Sequence, residues 1–164
     1  MIGARGQWYA SIRRKGWFAL VAVATIAGAF AGGAGAAGGV RLPGLGGGEL
    51  TDSELARGTH VLVVWASWSP RCRDIVERAN AIQARWGDRA RVATIDFQED
   101  PAEVERFLRG KGLKVPVYLD RDGEFSKSMA ITWLPGLLVY RDGAVRHQGR
   151  LPADPDSVLA DALR

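Results

Sequence analysis

Within the sequence VLVVWASWSPRC, residues 61–72, the predicted structure changes from strand to turn and then from turn to helix. The sequence begins as a continuous apolar run rich in β-branched residues, which is typical of a strand buried on both faces. The Ser-Pro pair at 69–70 breaks the strand, and apolar residues spaced three or four apart from Cys72 to Trp86 predict a helix. A thiol at a helix start is activated, because the helix N-terminus favours the thiolate. The stretch is therefore the candidate functional site.

The downstream sequence alternates between the strand and helix periods. The predicted strands are 91–97, 115–119, 137–140 and 144–150, and the predicted helices begin near Thr51, Asp100, Glu124 and Asp154. Asp100, Pro101 and Glu103 form a strong helix start with a capping box. An Asp-Gly pair at 142–143 predicts a hairpin between the last two strands. This order indicates an α/β fold, a mixed sheet with helices on both faces.

The cysteine and histidine counts exclude several kinds of chemistry. One cysteine, Cys72, cannot form an intramolecular disulfide, a two-thiol redox cycle or a cysteine-rich zinc site. The two histidines, His60 and His147, are interpreted as strand-end residues without a ligand role. We therefore expect no metal site and no cofactor.

The charge is unevenly distributed along the chain. Residues 1–40 carry four basic residues and no acid, which leaves 18 basic against 18 acidic residues in 41–164. The net charge of +4 therefore belongs to the N-terminal arm. A neutral body has no electrostatic footprint for nucleic acid, so a nucleic-acid partner is not expected.

The N-terminal segment has the pattern of an export signal or a membrane anchor. A basic region, 1–15, precedes the uncharged segment 16–40, which is long enough to span a bilayer as a helix. Small residues at 34–36 also suit a signal peptidase, so both a retained anchor and a cleaved signal peptide are considered, and the anchor is favoured. The positive-inside rule then places the C-terminal body in the periplasm or outside the cell.

The glycine-rich residues 41–48 are interpreted as a flexible tether between the anchor and the body. The composition changes at 48/49, and the folded domain is therefore predicted over residues 49–164.

Two motifs resemble the thioredoxin superfamily, and more narrowly its membrane-tethered TlpA/ResA/DsbE-like thiol–disulfide oxidoreductases. The first is WASWSPRC at 65–72, which matches the family's Trp-Ala-x-Trp-Cys-x-x-Cys frame. The second is TWLPGLLVYRDG at 132–143, where Pro135 takes the place of the family's cis-proline opposite the active site. The resemblance implies a thioredoxin-like fold and a role in thiol–disulfide or cytochrome maturation pathways.

The sequence departs from that family at the site itself. Ser69 stands at the position of the exposed nucleophilic cysteine, and Cys72 stands at the resolving position, which is usually buried. The family's buried acid or amide on the first strand falls at Val63, which removes a plausible proton acceptor. A serine hydroxyl cannot form a disulfide, so dithiol exchange is not available to this chain alone. Ser69 is instead expected to cap the following helix through its oxygen.

Peptide binding beside the cis-proline needs no thiol and can persist without the first cysteine. The candidate partner-binding residues are Trp68, Pro70, Arg71, Trp133, Leu134 and Pro135. In particular, Trp68 and Trp133 are candidates for an exposed apolar patch.

Three functions remain open at this point. The first is a membrane-anchored extracytoplasmic protein that binds a partner, such as a thiol-bearing or cytochrome-maturation protein, without dithiol exchange. The second is a monothiol oxidoreductase in which Cys72 exchanges with a partner cysteine, and this function requires an accessible thiol of low pKa. The third is a structural interaction domain of a membrane complex with no redox role.

Overall fold

The computed structural model describes residues 39–164. In this part of the chain the strands are β1 (Arg41–Pro43), β2 (Glu49–Thr51), β3 (Thr59–Trp65), β4 (Arg91–Phe97), β5 (Val117–Asp120), β6 (Gly136–Arg141) and β7 (Ala144–Arg150). The helices are α1 (Asp52–Leu55), α2 (Ile75–Trp86), α3 (Pro101–Leu108), α4 (Glu124–Ser128) and α5 (Asp156–Ala162), with a 3-10 turn at Pro70–Cys72.

The central sheet has five strands in the order β5-β4-β3-β6-β7. Strand β3 lies at its centre, parallel to β4 and antiparallel to β6. The pairs β4–β5 and β6–β7 are parallel and antiparallel, respectively. The predicted α/β fold with a mixed sheet is therefore confirmed.

Two apolar layers cover the sheet, because successive residues of β3 point to opposite faces. Val61, Val63 and Trp65 belong to the layer that contains the buried residues of α2, α3 and α5. Leu62 and Val64 belong to the other layer, which contains Leu55 of α1 and Phe125 of α4. All of β3 from His60 onward is buried, as its continuous apolar run predicts.

Helices α1, α3, α4 and α5 begin within two residues of the predicted starts, whereas the capping of α3 and the start of α2 differ from the prediction. Thr51 and Glu54 form the full capping box of α1. Asp100 precedes α3 but makes no side-chain cap, and its carboxylate pairs with the guanidinium of Arg121 at 2.8 Å. The helix expected to start near Cys72 starts at Ile75, after the 3-10 turn.

Residues 41–48 form a folded hairpin, and the prediction of a flexible tether is wrong for them. Strand β1 pairs with β2 in antiparallel fashion, and Leu42 is buried opposite Leu50. The backbone N–H of Leu45 donates to the carbonyl of Val117 at 2.9 Å, which joins the hairpin to the edge strand β5. The glycines supply the left-handed turn at Gly47 and Gly48, with φ of 96° and 73°. The folded unit thus begins before the predicted boundary at 48/49.

The predictions for the basic region 1–15 and for the apolar segment up to residue 38 lie outside the described residues. Between residues 39 and 164 no helix is both long enough and apolar enough to cross a membrane.

Candidate functional site

The site is built where β3 ends. After Trp65 the chain makes a tight turn, in which Ser69 N–H donates to the carbonyl of Ala66 at 3.2 Å and Cys72 N–H donates to that of Ser69 at 2.9 Å. The turn sends two side chains in opposite directions. Trp68 is 60% exposed, whereas Cys72 is 0% exposed.

Cys72 lies in the apolar layer with Trp65 and Ile75. Burial raises the pKa of its thiol, and this effect outweighs the opposing hydrogen bonds with the Ala66 backbone and the Ser69 side chain. A buried thiol with a raised pKa is a poor nucleophile. This environment does not meet the two requirements of the monothiol mechanism.

Ser69 is 7% exposed and immediately precedes the 3-10 turn. The prediction that its hydroxyl caps a helix is wrong, because the side chain makes no capping hydrogen bond. The cause is local: the N–H of Cys72, which a capping hydroxyl would bind, already donates to the backbone carbonyl of Ser69.

The second predicted motif lies beside the first. The peptide bond between Leu134 and Pro135 is cis, as expected for this position. Strand β6 begins at Gly136, which is opposite Val64 in the register of β3 and β6. This pairing brings the residues before Pro135 to the end of β3, next to the Trp68 turn.

A groove of about 480 Å³ opens between the two motifs. It is lined by Trp68, Ser69, Pro70, Arg71, Phe97, Ile131, Thr132, Trp133, Leu134 and Arg150. We call this set of ten residues the groove. The structure thus brings five of the six predicted partner-binding residues together with Ser69. Pro135 and Cys72 are buried beneath the groove and do not line it.

The sequence did not predict four of the groove residues: Phe97, Ile131, Thr132 and Arg150. Arg150 lies opposite Gly136 in the β6–β7 pair. The Asp-Gly signal predicted this hairpin, and counting back from it gives an approximate partner for each residue of β7. A register shift between Val139 and Tyr140 changes the count, so only the structure gives the correct partner.

Two buried acidic residues, Asp96 and Glu99, lie next to the turn that follows β3, and Glu99 binds it. Ser67 donates its backbone N–H to one carboxylate oxygen of Glu99 at 2.5 Å and its hydroxyl to the other. Asp96, at the end of β4, is 0% exposed, and neither of its carboxyl oxygens has a hydrogen-bond donor among the described residues. Its pKa is raised to about 9 by burial, by Glu99 and by the charge of Asp120. With its pKa raised in this way, Asp96 is protonated at neutral pH.

The buried acid lies on β4 and not at the family's position on β3. Val63 is apolar and buried, but the site does not lack a buried acid, because Asp96 supplies one from the neighbouring strand. Asp96 is paired with Trp65 in the parallel register of β3 and β4. An acid inside the otherwise apolar strand RVATIDF was the sequence signal that could have identified it.

The five-stranded sheet, the turn after β3 and the cis-proline beside it define a thioredoxin-like protein. The chain belongs to the Redoxin family, whose model matches residues 33–163, and it is similar to proteins of the TlpA/ResA/DsbE-like type.

Sequence relatives and solved structures agree with this assignment. The thiol-disulfide oxidoreductase ResA of Bacillus cereus is 26% identical over 83 residues, which cover 49% of this chain and 48% of the relative. The match therefore spans about half the length of that protein. DsbE from Chlorobium tepidum, a thiol:disulfide interchange protein, superposes with a TM-score of 0.67 at 24% identity, covering 78% of this chain and 95% of the other. For the exposed lipoprotein thioredoxin Etrx1 from Streptococcus pneumoniae the TM-score is 0.66 at 20% identity, with 76% and 98% covered. At these identities the structures share the fold.

Proposed function

We propose that this protein is a membrane-tethered extracytoplasmic member of its family that binds a partner protein in the groove and performs no dithiol exchange. One observation carries the proposal: the single thiol is buried while the groove above it is open. Cys72 is 0% exposed, whereas Trp68 at the groove's rim is 60% exposed. Large apolar side chains at a concave surface are typical of protein interaction sites.

The backbone of the groove supports an extended partner segment. Among the described residues, the backbone groups of Thr132, Trp133 and Leu134 make no hydrogen bond to other backbone groups. Exposed backbone donors and acceptors beside a sheet pair readily with an added strand. A partner segment that lies along residues 132–134 would therefore gain backbone hydrogen bonds as well as apolar contacts.

The tether is proposed from the sequence of residues 1–40 and from the relatives. The basic cluster followed by an uncharged apolar segment favours a membrane anchor with the domain outside the cytoplasm. The Streptococcus pneumoniae relative is described as an exposed lipoprotein, and this is consistent with an extracytoplasmic location.

Photocrosslinking in cells tests the partner-binding function against the monothiol alternative. A photoreactive phenylalanine analogue replaces Trp68 in the full chain, and the same analogue at Val145, which is exposed on β7, is the control. We expect a discrete crosslinked product at position 68 that is absent at position 145.

The product should persist when Cys72 is also changed to Ala, because the buried thiol takes no part in binding. Loss of the product in Cys72→Ala, with the fold retained, would support a mixed disulfide and contradict the proposal. Equal, non-specific crosslinking at positions 68 and 145 would contradict a specific groove.

A further inference from the structure

The groove carries an uncompensated positive charge. Arg71, from the 3-10 turn, and Arg150, from the end of β7, both line it. No acidic side chain is among the ten lining residues. Within residues 39–164 neither arginine forms an ion pair or a side-chain hydrogen bond, although four other arginines of this region do form ion pairs. The two guanidinium groups are thus available to a ligand.

The charge is local to the groove. Residues 41–164 contain equal numbers of basic and acidic residues. A balanced domain produces no extended positive field of the kind that attracts a polyanion such as a nucleic acid. Two arginines beside an apolar surface fit a single carboxylate better, because a guanidinium group binds a carboxylate with two parallel hydrogen bonds.

The other residues of the groove indicate which groups should flank the carboxylate of the ligand. Trp68, Trp133 and Leu134 present apolar surface, and the indole N–H of Trp133 is buried without an acceptor among the described residues. A buried N–H without an acceptor is costly, and a ligand that supplies an oxygen would relieve this cost. The volume of about 480 Å³ suits a few side chains of an extended segment.

We infer that the groove binds an extended segment of a partner protein in which an aspartate or glutamate side chain, flanked by apolar residues, pairs with Arg71 and Arg150. The inference rests on the proposed function and adds the chemical class of the partner segment. The acidic side chain determines which segments bind, while the tryptophans supply apolar contact area.

Two matched peptide pools test the inference. Each pool contains octapeptides with a fixed central residue flanked by positions randomised over Val, Leu, Phe and Tyr, with acetylated and amidated ends so that no terminal charge contributes. One pool has Glu at the centre and the other has Gln. Retention of each pool by the immobilised full chain in detergent is measured by mass spectrometry. We expect roughly tenfold greater retention of the Glu pool, and a smaller difference at high salt.

The variants Arg71→Gln and Arg150→Gln should each reduce this preference. Arg73→Gln and Arg146→Gln are matched controls, because both residues are exposed, neighbour the groove in sequence and do not line it. These controls should keep the preference of the native chain.

Each outcome separates the inference from the proposed function. Equal retention of the two pools, lost in Trp68→Ala, would overturn the acidic preference and leave partner binding intact. No retention of either pool would contradict both. Self-association of the full chain that Trp68→Ala abolishes would show that a second copy occupies the groove, and would also overturn the inference.

Discussion

Ser69 has a hydroxyl at the position where thiol–disulfide oxidoreductases of the TlpA/ResA/DsbE-like type have an exposed thiol. The one remaining thiol is that of Cys72. Ser69 and Cys72 are both buried, so neither side chain presents a reactive group at the surface. The pKa of Cys72 is raised because the surroundings are apolar. Thiol exchange at this site is therefore disfavoured both by the serine at position 69 and by the burial of Cys72.

Asp96 makes the stability of the fold depend on pH. The folded protein retains its proton up to a pKa of about 9, whereas an unfolded aspartate loses it near its ordinary pKa of about 4. The folded state therefore binds more protons across this window, and the free energy of unfolding falls as pH rises through it. The main cause of the raised pKa is burial of the carboxyl group, and Glu99, in the loop after β4, and Asp120, on β5, raise it further.

Asp96→Asn should remove most of this pH dependence. The amide cannot ionise, so the variant does not lose stability as pH rises toward the pKa of the buried Asp96. We expect the variant to exceed the native chain in stability by about 1 kcal/mol or more at about pH 8, with a smaller gain at about pH 5. Urea unfolding at both pH values measures the difference. The exposed Asp88→Asn is the control, and a parallel loss of stability in both proteins at high pH would refute a role for Asp96.

At the scale of elements, the hairpin β1–β2 decides where the folded unit begins. Leu42 is buried in the layer that contains Leu50 and Leu55. The hairpin also covers the edge strand β5 through the bond from Leu45 to Val117. A covered edge cannot pair with another chain, so the hairpin both extends the core and protects the sheet.

Leu42→Ala should destabilise the domain by about 2–3 kcal/mol, because it removes buried methyl groups and leaves a cavity. Arg41→Ala is the matched control: it removes only the exposed ion pair with Glu49 at 2.7 Å, which is worth less than about 1 kcal/mol. Thermal or urea unfolding compares the two. A change below about 0.5 kcal/mol for Leu42→Ala would mean that residues 41–48 behave as the flexible tether that the sequence suggested.

At the scale of the whole molecule, the proposed anchor predicts how the chain partitions. The full chain should remain in the membrane pellet after alkaline carbonate extraction, whereas a chain without residues 1–38 should be released. Fractionation followed by intact mass measurement tests this. A soluble product shortened near residues 34–36 would instead show that the segment is a cleaved signal peptide.

The sequence by itself determined the fold class and the location of the site. The apolar run of β3, the Ser-Pro break and the Asp-Gly hairpin are local signals, and local backbone preferences and periodicity suffice to interpret them. Of the six residues that the two motifs predicted to bind a partner, five line the groove, since the family resemblance places them at one end of the sheet.

The tertiary structure alone decided the features that depend on contacts between distant segments. Arg150 enters the groove through the shifted register of β6 and β7. Asp96 retains its proton because it is buried, with Glu99 and Asp120 raising its pKa further. The glycine-rich residues 41–48 fold because Leu42 and Leu45 find partners on β2 and β5. Charge pairing and register arise only when separate strands meet, and no local pattern encodes them.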